Sequence, residues 1–175
     1  MAEERQSRII AVHSGTAYSQ DRETALKSYL LGKIQGATNE GQLLESTWTF
    51  VAGTTGAAGA HTLFTVTGNV LLTVFGVCDT NLAGVTTLEV GVASNTAGLL
   101  AQIANAETLD DGDVYVDANT GVGAGTIPDI RVLNDGADVI MTIGVAAAIS
   151  GGVVDFYCLW RPLSSGATVT VTTPA

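Results

Sequence analysis

The sequence predicts an all-β protein: an antiparallel β-sandwich or jelly-roll body preceded by an N-terminal arm that contains one short helix. Three observations lead there. From about Ser46 onward, Val, Leu and Thr alternate in short runs, the period-two signature of strands with one face turned inward. Those runs are broken by Gly, Asn and Asp, and the chain holds 21 glycines. Turns therefore come at the short intervals of an antiparallel sheet, not at the longer intervals of helical crossovers. Finally, five of the seven Lys and Arg residues precede Ile34, which sets the start of the chain apart from the rest.

At 175 residues and 17.9 kDa the chain accommodates one hydrophobic core. Its expected organisation is an arm over residues 1–45 and a sandwich over 46–175. Within the arm the helix is predicted over 20–35. Ser19 stands at the N-cap position, Asp21 and Glu23 fall in the first turn and Lys33 in the last, which suits the charge preferences of the two helix ends. Leu26, Leu30 and Ile34, with Tyr29 beside them, form an apolar stripe at helical spacing, and Gly36 follows where a helix would stop.

Ten strands are expected in the body: Thr47–Val51, Thr62–Thr67, Val70–Cys78, Thr86–Val92, Leu99–Ile103, Val114–Val116, Ile127–Leu133, Val139–Val145, Val153–Trp160 and Thr168–Thr172. Two of them alternate cleanly. Leu88, Val90 and Val92 are interleaved with Thr87, Glu89 and Gly91, and Val169 and Val171 with threonines, so each is expected to have one wet face. Val70–Cys78 and Val139–Val145 are apolar almost throughout and are expected to be central, or to lie under a second layer or a neighbouring chain. Ser150-Gly151-Gly152 reads as a turn.

Charge narrows the partners. Residues 1–33 carry five basic and four acidic side chains, a net of +1, which leaves two basic and thirteen acidic for 34–175, a net of −11. A body this acidic repels a phosphate backbone, and Arg131 and Arg161 are its only basic residues, so direct nucleic-acid binding is not expected. Charged residues make up 14% of the chain, against about 25% in an average soluble domain. Either threonine supplies the polar surface, or part of the surface is buried against other subunits, where charge is depleted.

No membrane association is expected. The start, MAEERQSR, has four charges and no apolar core, unlike a secretory signal. The longest apolar stretch, Val139–Val154, is 16 residues between Asp138 and Asp155, short of the ~17–25 that a spanning helix needs. Cys78 and Cys158 are 80 residues apart, each inside a strand-like run. Two buried thiols are expected, with a bridge open to them only if their strands are neighbours.

No catalytic residue, metal ligand or cofactor is assigned. Glu107, Asp110, Asp111, Asp113 and Asp117 cluster around Gly112, but without the ligand order of a calcium loop. Nor does any spacing select a pair of carboxylates for glycoside hydrolysis. His61 follows the flexible run 53–59, and no nucleophile elbow accompanies it. The glycine-rich runs 53–59 and 121–125 lack the lysine of a phosphate loop. Trp48, Tyr115, Tyr157 and Trp160 are either a sugar-stacking platform or core and interface anchors.

Three segments carry a resemblance: Gly152–Ser164 (GVVDFYCLWRPLS), Thr67–Cys78 (TGNVLLTVFGVC) and Gly91–Gln102 (GVASNTAGLLAQ). Together they resemble small structural proteins of tailed bacteriophages, in particular capsid decoration or cement proteins. The resemblance spans roughly 68–164 and does not cover the arm. It implies a virion protein, made in the host cytoplasm. Such a protein assembles, commonly as a homotrimer, on the capsid exterior and clamps neighbouring major capsid protein subunits without catalysis. On that reading Leu26, Tyr29, Leu30 and Ile34 are arm contacts to the partner. A different class also fits a sandwich: a phage fibre tip or carbohydrate- or receptor-binding module.

Overall fold

The computed structural model describes residues 41–119 and 128–173. The predicted helix 20–35, and with it Leu26, Tyr29, Leu30 and Ile34, lies outside them. The ten strands, in chain order, are β1 Gln42–Thr49, β2 Gly59–Thr67, β3 Val70–Ala83, β4 Leu88–Val92, β5 Asn95–Ile103, β6 Val114–Tyr115, β7 Arg131–Leu133, β8 Val139–Ile143, β9 Gly151–Pro162 and β10 Thr168–Val171. Apart from them, one 3-10 turn is found among the described residues, over Ala106–Thr108. Each of the ten overlaps a strand expected from the sequence, β1 only over its last three residues.

Two antiparallel five-stranded sheets result. The first has the order β1-β9-β3-β6, with β7 also paired to β3, and the second β10-β2-β8-β4-β5. The pairing is nested: β1 with β9, β2 with β8, β3 with β7 and β4 with β5. The outermost strands of the series meet each other, and the innermost two form a hairpin.

Alternation decides what each strand puts inside. On β9, Val154, Phe156, Cys158 and Trp160 are buried, and on β3 the residues opposite them are Cys78, Gly76, Val74 and Leu72. The second sheet contributes Phe64, Val66, Leu88, Val90, Leu100, Val139, Met141 and Ile143 to the same apolar cluster. The long apolar strands are interior as expected: β3 lies between β9 and β6/β7, and β8 between β2 and β4.

Three readings are corrected. β1 begins at Gln42 and ends at Thr49, whereas Thr47–Val51 was expected. Its first half, Gln42–Ser46, does not alternate, since Leu43 and Leu44 are adjacent and Glu45 and Ser46 follow, and it becomes a strand because β9 supplies a complete ladder from Gln42↔Trp160 to Thr49↔Val153. β4 is not wet on one face, since Glu89 is buried along with Leu88, Val90 and Gly91. The β4–β5 hairpin is irregular in register and folds its own backbone over Gly91, where a Cβ would lie 2.1 Å from the Asn95 carbonyl oxygen. The Glu89 carboxylate is satisfied by Gln102, whose Nε2 donates at 2.6 Å. Finally, Ser150-Gly151-Gly152 is not a turn: Gly151 and Gly152 open β9, with Gly151 opposite Ala83.

Candidate functional site

Residues directly opposite one another in an antiparallel ladder share a face, so the registers specify what the first sheet shows on its outward side. Four rows cross the strands. Arg161 on β9 stands beside Leu71 on β3 and, beyond it, Val132 on β7. Next come Leu43, Leu159 and Thr73, then Glu45, Tyr157 and Phe75, and then Thr47, Asp155, Val77 and Val114. Leu43 is 59% exposed, Leu159 44% and Val132 62%, while Leu71, Phe75, Val77, Tyr157 and Val114 are half-buried. Phe75 and Tyr157 stack with ring centroids 5.1 Å apart and 17° between their planes. Thr73 alone is covered, because its hydroxyl donates to the Pro128 carbonyl at 2.9 Å.

This face is electrically polar. Arg161, exposed at one end, has no ion-pair partner among the described residues; Arg131 pairs loosely with Asp129 at 3.8 Å. Asp155 stands at the other end, and between them the Tyr157 phenol is held above its ordinary pKa, first by burial and then by the charges of Glu45, Asp155 and Asp79. One oxygen of Asp155, Oδ1, is shut off from water without a hydrogen-bond partner.

The candidates named from sequence are dispersed by comparison. Of the four aromatics, Trp48, Tyr115 and Trp160 are core residues and only Tyr157 faces outward. Trp48 donates its Nε1 proton to the Thr55 carbonyl at 2.9 Å, tying down the 52–58 loop. The Tyr115 hydroxyl reaches across the core to the carbonyls of Ala101, at 2.9 Å, and Leu88, at 3.1 Å. His61 contacts the Ala57 carbonyl through Nε2 at 2.8 Å and meets Trp48 edge-on.

The acidic loop is occupied with its own backbone. Asp113 accepts from the Asp110 amide at 3.0 Å, Glu107 from the Gly84 amide at 3.1 Å, and Asp117 from the Asn119 amide at 2.7 Å. Among the described residues no three His, Cys, Asp or Glu side chains converge as a metal site.

Cys78 and Cys158 are both buried and unbridged. Their strands are neighbours, but Cys158 lies opposite Val74 and Cys78 opposite Val154. The offset of four residues is ~13 Å along the sheet, well beyond disulfide reach. Burial pushes the Cys78 thiol up to about 11 and the Cys158 thiol up to about 12.

Where β7 meets the β4–β5 hairpin, an open cleft of about 360 Å³ is lined by Val92, Asn95, Leu99, Arg131, Leu133 and Asn134, among others. Among the described residues no helix is long and apolar enough to cross a membrane. The outward face of the first sheet was missed as a site by sequence reasoning, although its signal was present: strands apolar on both faces call for a cover on each. Compared with family models, curated proteins and solved structures, the chain matches none.

Proposed function

We propose that the chain is a viral structural protein, a capsid decoration or cement protein that binds the outside of a tailed-phage head and stabilises contacts between major capsid subunits. The observation that carries this reading is the outward face of the first sheet, where Leu43, Leu71, Phe75, Val132, Tyr157 and Leu159 form one apolar surface at full or partial exposure. Contiguous apolar area of this kind marks a protein contact. Two of the three segments that carry the resemblance to decoration proteins form the paired strands β3 and β9 of this sheet, and the third forms the β4–β5 hairpin.

The body is read as a jelly roll. A long hairpin rolled up on itself leaves nested partners in two opposed sheets, and β1-β9-β3-β7 facing β2-β8-β4-β5 has that order. Cementing needs no turnover. Each copy that buries apolar surface at roughly 25 cal/mol per Å² raises the cost of parting the subunits it touches.

Incubating the purified protein with undecorated heads tests the reading. Saturable binding with a raised temperature of head disruption is expected, and a protein that ignores heads at all concentrations refutes it. A sugar- or receptor-binding module draws support from one feature, the Phe75–Tyr157 stack flanked by Glu45 and Asp155, since stacked rings beside carboxylates suit a pyranose. A glycan-array hit that Tyr157→Ala removes would favour it.

A further inference from the structure

The alternate residues of β9 that face outward are Val153, Asp155, Tyr157, Leu159 and Arg161. About a midpoint between Tyr157 and Leu159 this series is self-complementary: apolar answers apolar, and Asp155 answers Arg161. A surface that carries its own complement under a half-turn is what a two-fold interface requires, because each contact occurs twice with the roles exchanged. We infer that the outward face of the first sheet pairs with the same face of a second copy, with β9 lying antiparallel over its counterpart and Asp155 of each copy opposite Arg161 of the other.

Several observations favour a second copy over other occupants. Within one chain Asp155 and Arg161 are six residues apart on one strand, ~20 Å, so they cannot satisfy each other. Arg161 is exposed and Asp155 partly exposed on this face, and neither has an ion-pair partner among the described residues. The half-turn supplies both needs at once. It also sets the Glu45–Tyr157–Phe75 row of one copy over the Leu43–Leu159–Thr73 row of the other, which places Tyr157 on Leu159 at the centre of β9, between the two Asp155–Arg161 contacts, an arrangement of apolar middle and charged ends that protein interfaces share. Sheets packed face to face run within about 30° of each other at a separation of ~10 Å, a gap that the side chains of β1 and β9 fill, while over β3 the backbone at Pro128 already covers Thr73.

The area is sufficient but not large. Four strand positions ~4.8 Å apart and four rows ~6.8 Å apart outline a footprint on the order of 500 Å² per copy. The pair then buries on the order of 1,000 Å², at the lower edge of specific association. Pairing should therefore depend on protein concentration.

This inference shares with the proposed function the premise that the face is a protein contact, and where the face pairs with a second copy the contact with a phage head falls to another surface of the chain. Sedimentation velocity on the full chain over a wide concentration range tests it. The expected wild-type result is a monomer–dimer equilibrium ending at twice the 17.9 kDa chain mass. Asp155→Arg alone and Arg161→Asp alone should each weaken pairing at least tenfold, since each creates two like-charge contacts. The double variant D155R/R161D should pair as the wild type does. An equimolar mixture of the two single variants should form a mixed dimer, because both of its charge contacts are then opposite in sign. Both positions face outward, and far-UV circular dichroism of each variant checks that the sheets remain.

A wild-type monomer at every concentration overturns the inference, as does an oligomer indifferent to the two charge reversals, a trimer included. If these results come with saturable binding to undecorated heads, the face is the shell contact and the cement reading survives. Dimers that obey the charge swap but ignore heads leave the inference standing and defeat the cement reading.

Discussion

Tyr115→Phe removes a single oxygen from the centre of the sandwich, and the structure gives its consequence at two pH values. The hydroxyl is fully buried and lies 2.9 Å from the Ala101 carbonyl and 3.1 Å from that of Leu88, joining β6 of one sheet to β5 and β4 of the other. Losing the donor leaves buried carbonyls short of a partner, which costs ~1.5 kcal/mol at neutral pH, or a fall of ~4 °C per kcal/mol in melting temperature for a domain of this size. The phenol is also held above its ordinary pKa of 10, by burial first and by the Glu89 charge second. The folded state therefore keeps a proton that the unfolded state releases above pH 10, and wild-type stability falls as pH rises through that value. Phenylalanine has no such proton. The gap between variant and wild type should narrow by ~0.4 kcal/mol at pH 10 and by ~1.4 kcal/mol at pH 11, where the two curves meet. Urea unfolding followed by tryptophan fluorescence from pH 7 to 11 measures this directly, with Trp48 and Trp160 buried as reporters. A gap that stays constant across the range would refute the assignment of a buried, protonated phenol.

The two thiols add an alkaline effect of the same sign. With ordinary values near 9 raised to about 11 for Cys78 and about 12 for Cys158, each costs up to ~1.4 kcal/mol of stability per pH unit above 9 until its folded value is reached. Cys158→Ala should flatten that slope, and a thiol reagent should label neither cysteine until urea unfolds the chain. Gly56→Ala should abolish folding or cost more than ~3 kcal/mol, because its Cβ would lie 1.8 Å from the Ile149 carbonyl oxygen and the obstacle is backbone, not a movable side chain; wild-type stability in urea would contradict this. Asp138→Ala should cost ~1.5–3 kcal/mol in the same assay, since its carboxylate accepts the Val66 amide at 2.9 Å just past the last pair of the β2–β8 ladder, Phe64↔Val139. A loss under 0.5 kcal/mol would mean that the amide finds another acceptor.

Much of the architecture could be read locally. Val70–Cys78 and Val153–Trp160 announce themselves as strands because β-branched and aromatic residues pack well on a pleated surface, and Gly68 and Gly84, both at positive φ, bound β3 where only glycine turns without strain. The errors came where a neighbour outside the window decided the outcome. Gln42–Ser46 carries little strand signal and is drawn into the sheet by the β9 ladder. Glu89 reads as a wet position by alternation, and its hairpin and Gln102 cover it. Trp48, Tyr115, Tyr157 and Trp160 look alike in sequence, and only the layer each one faces separates three core residues from one surface residue.

The chain's own text was enough to establish that it is built of short antiparallel strands, that its two thiols are buried, and that some strands need cover on both faces, because periodicity, turn chemistry and apolar content are properties of a few consecutive residues. Which strands are neighbours, and in what register, was settled only in three dimensions. Cys78 and Cys158 illustrate the difference: 80 residues apart, they lie on paired strands yet four residues out of step. The same registers bring Leu43, Phe75, Tyr157 and Leu159 onto one face, with Asp155 and Arg161 at opposite ends of it. Register is a compromise among all the side chains that share the core, so no single segment encodes it.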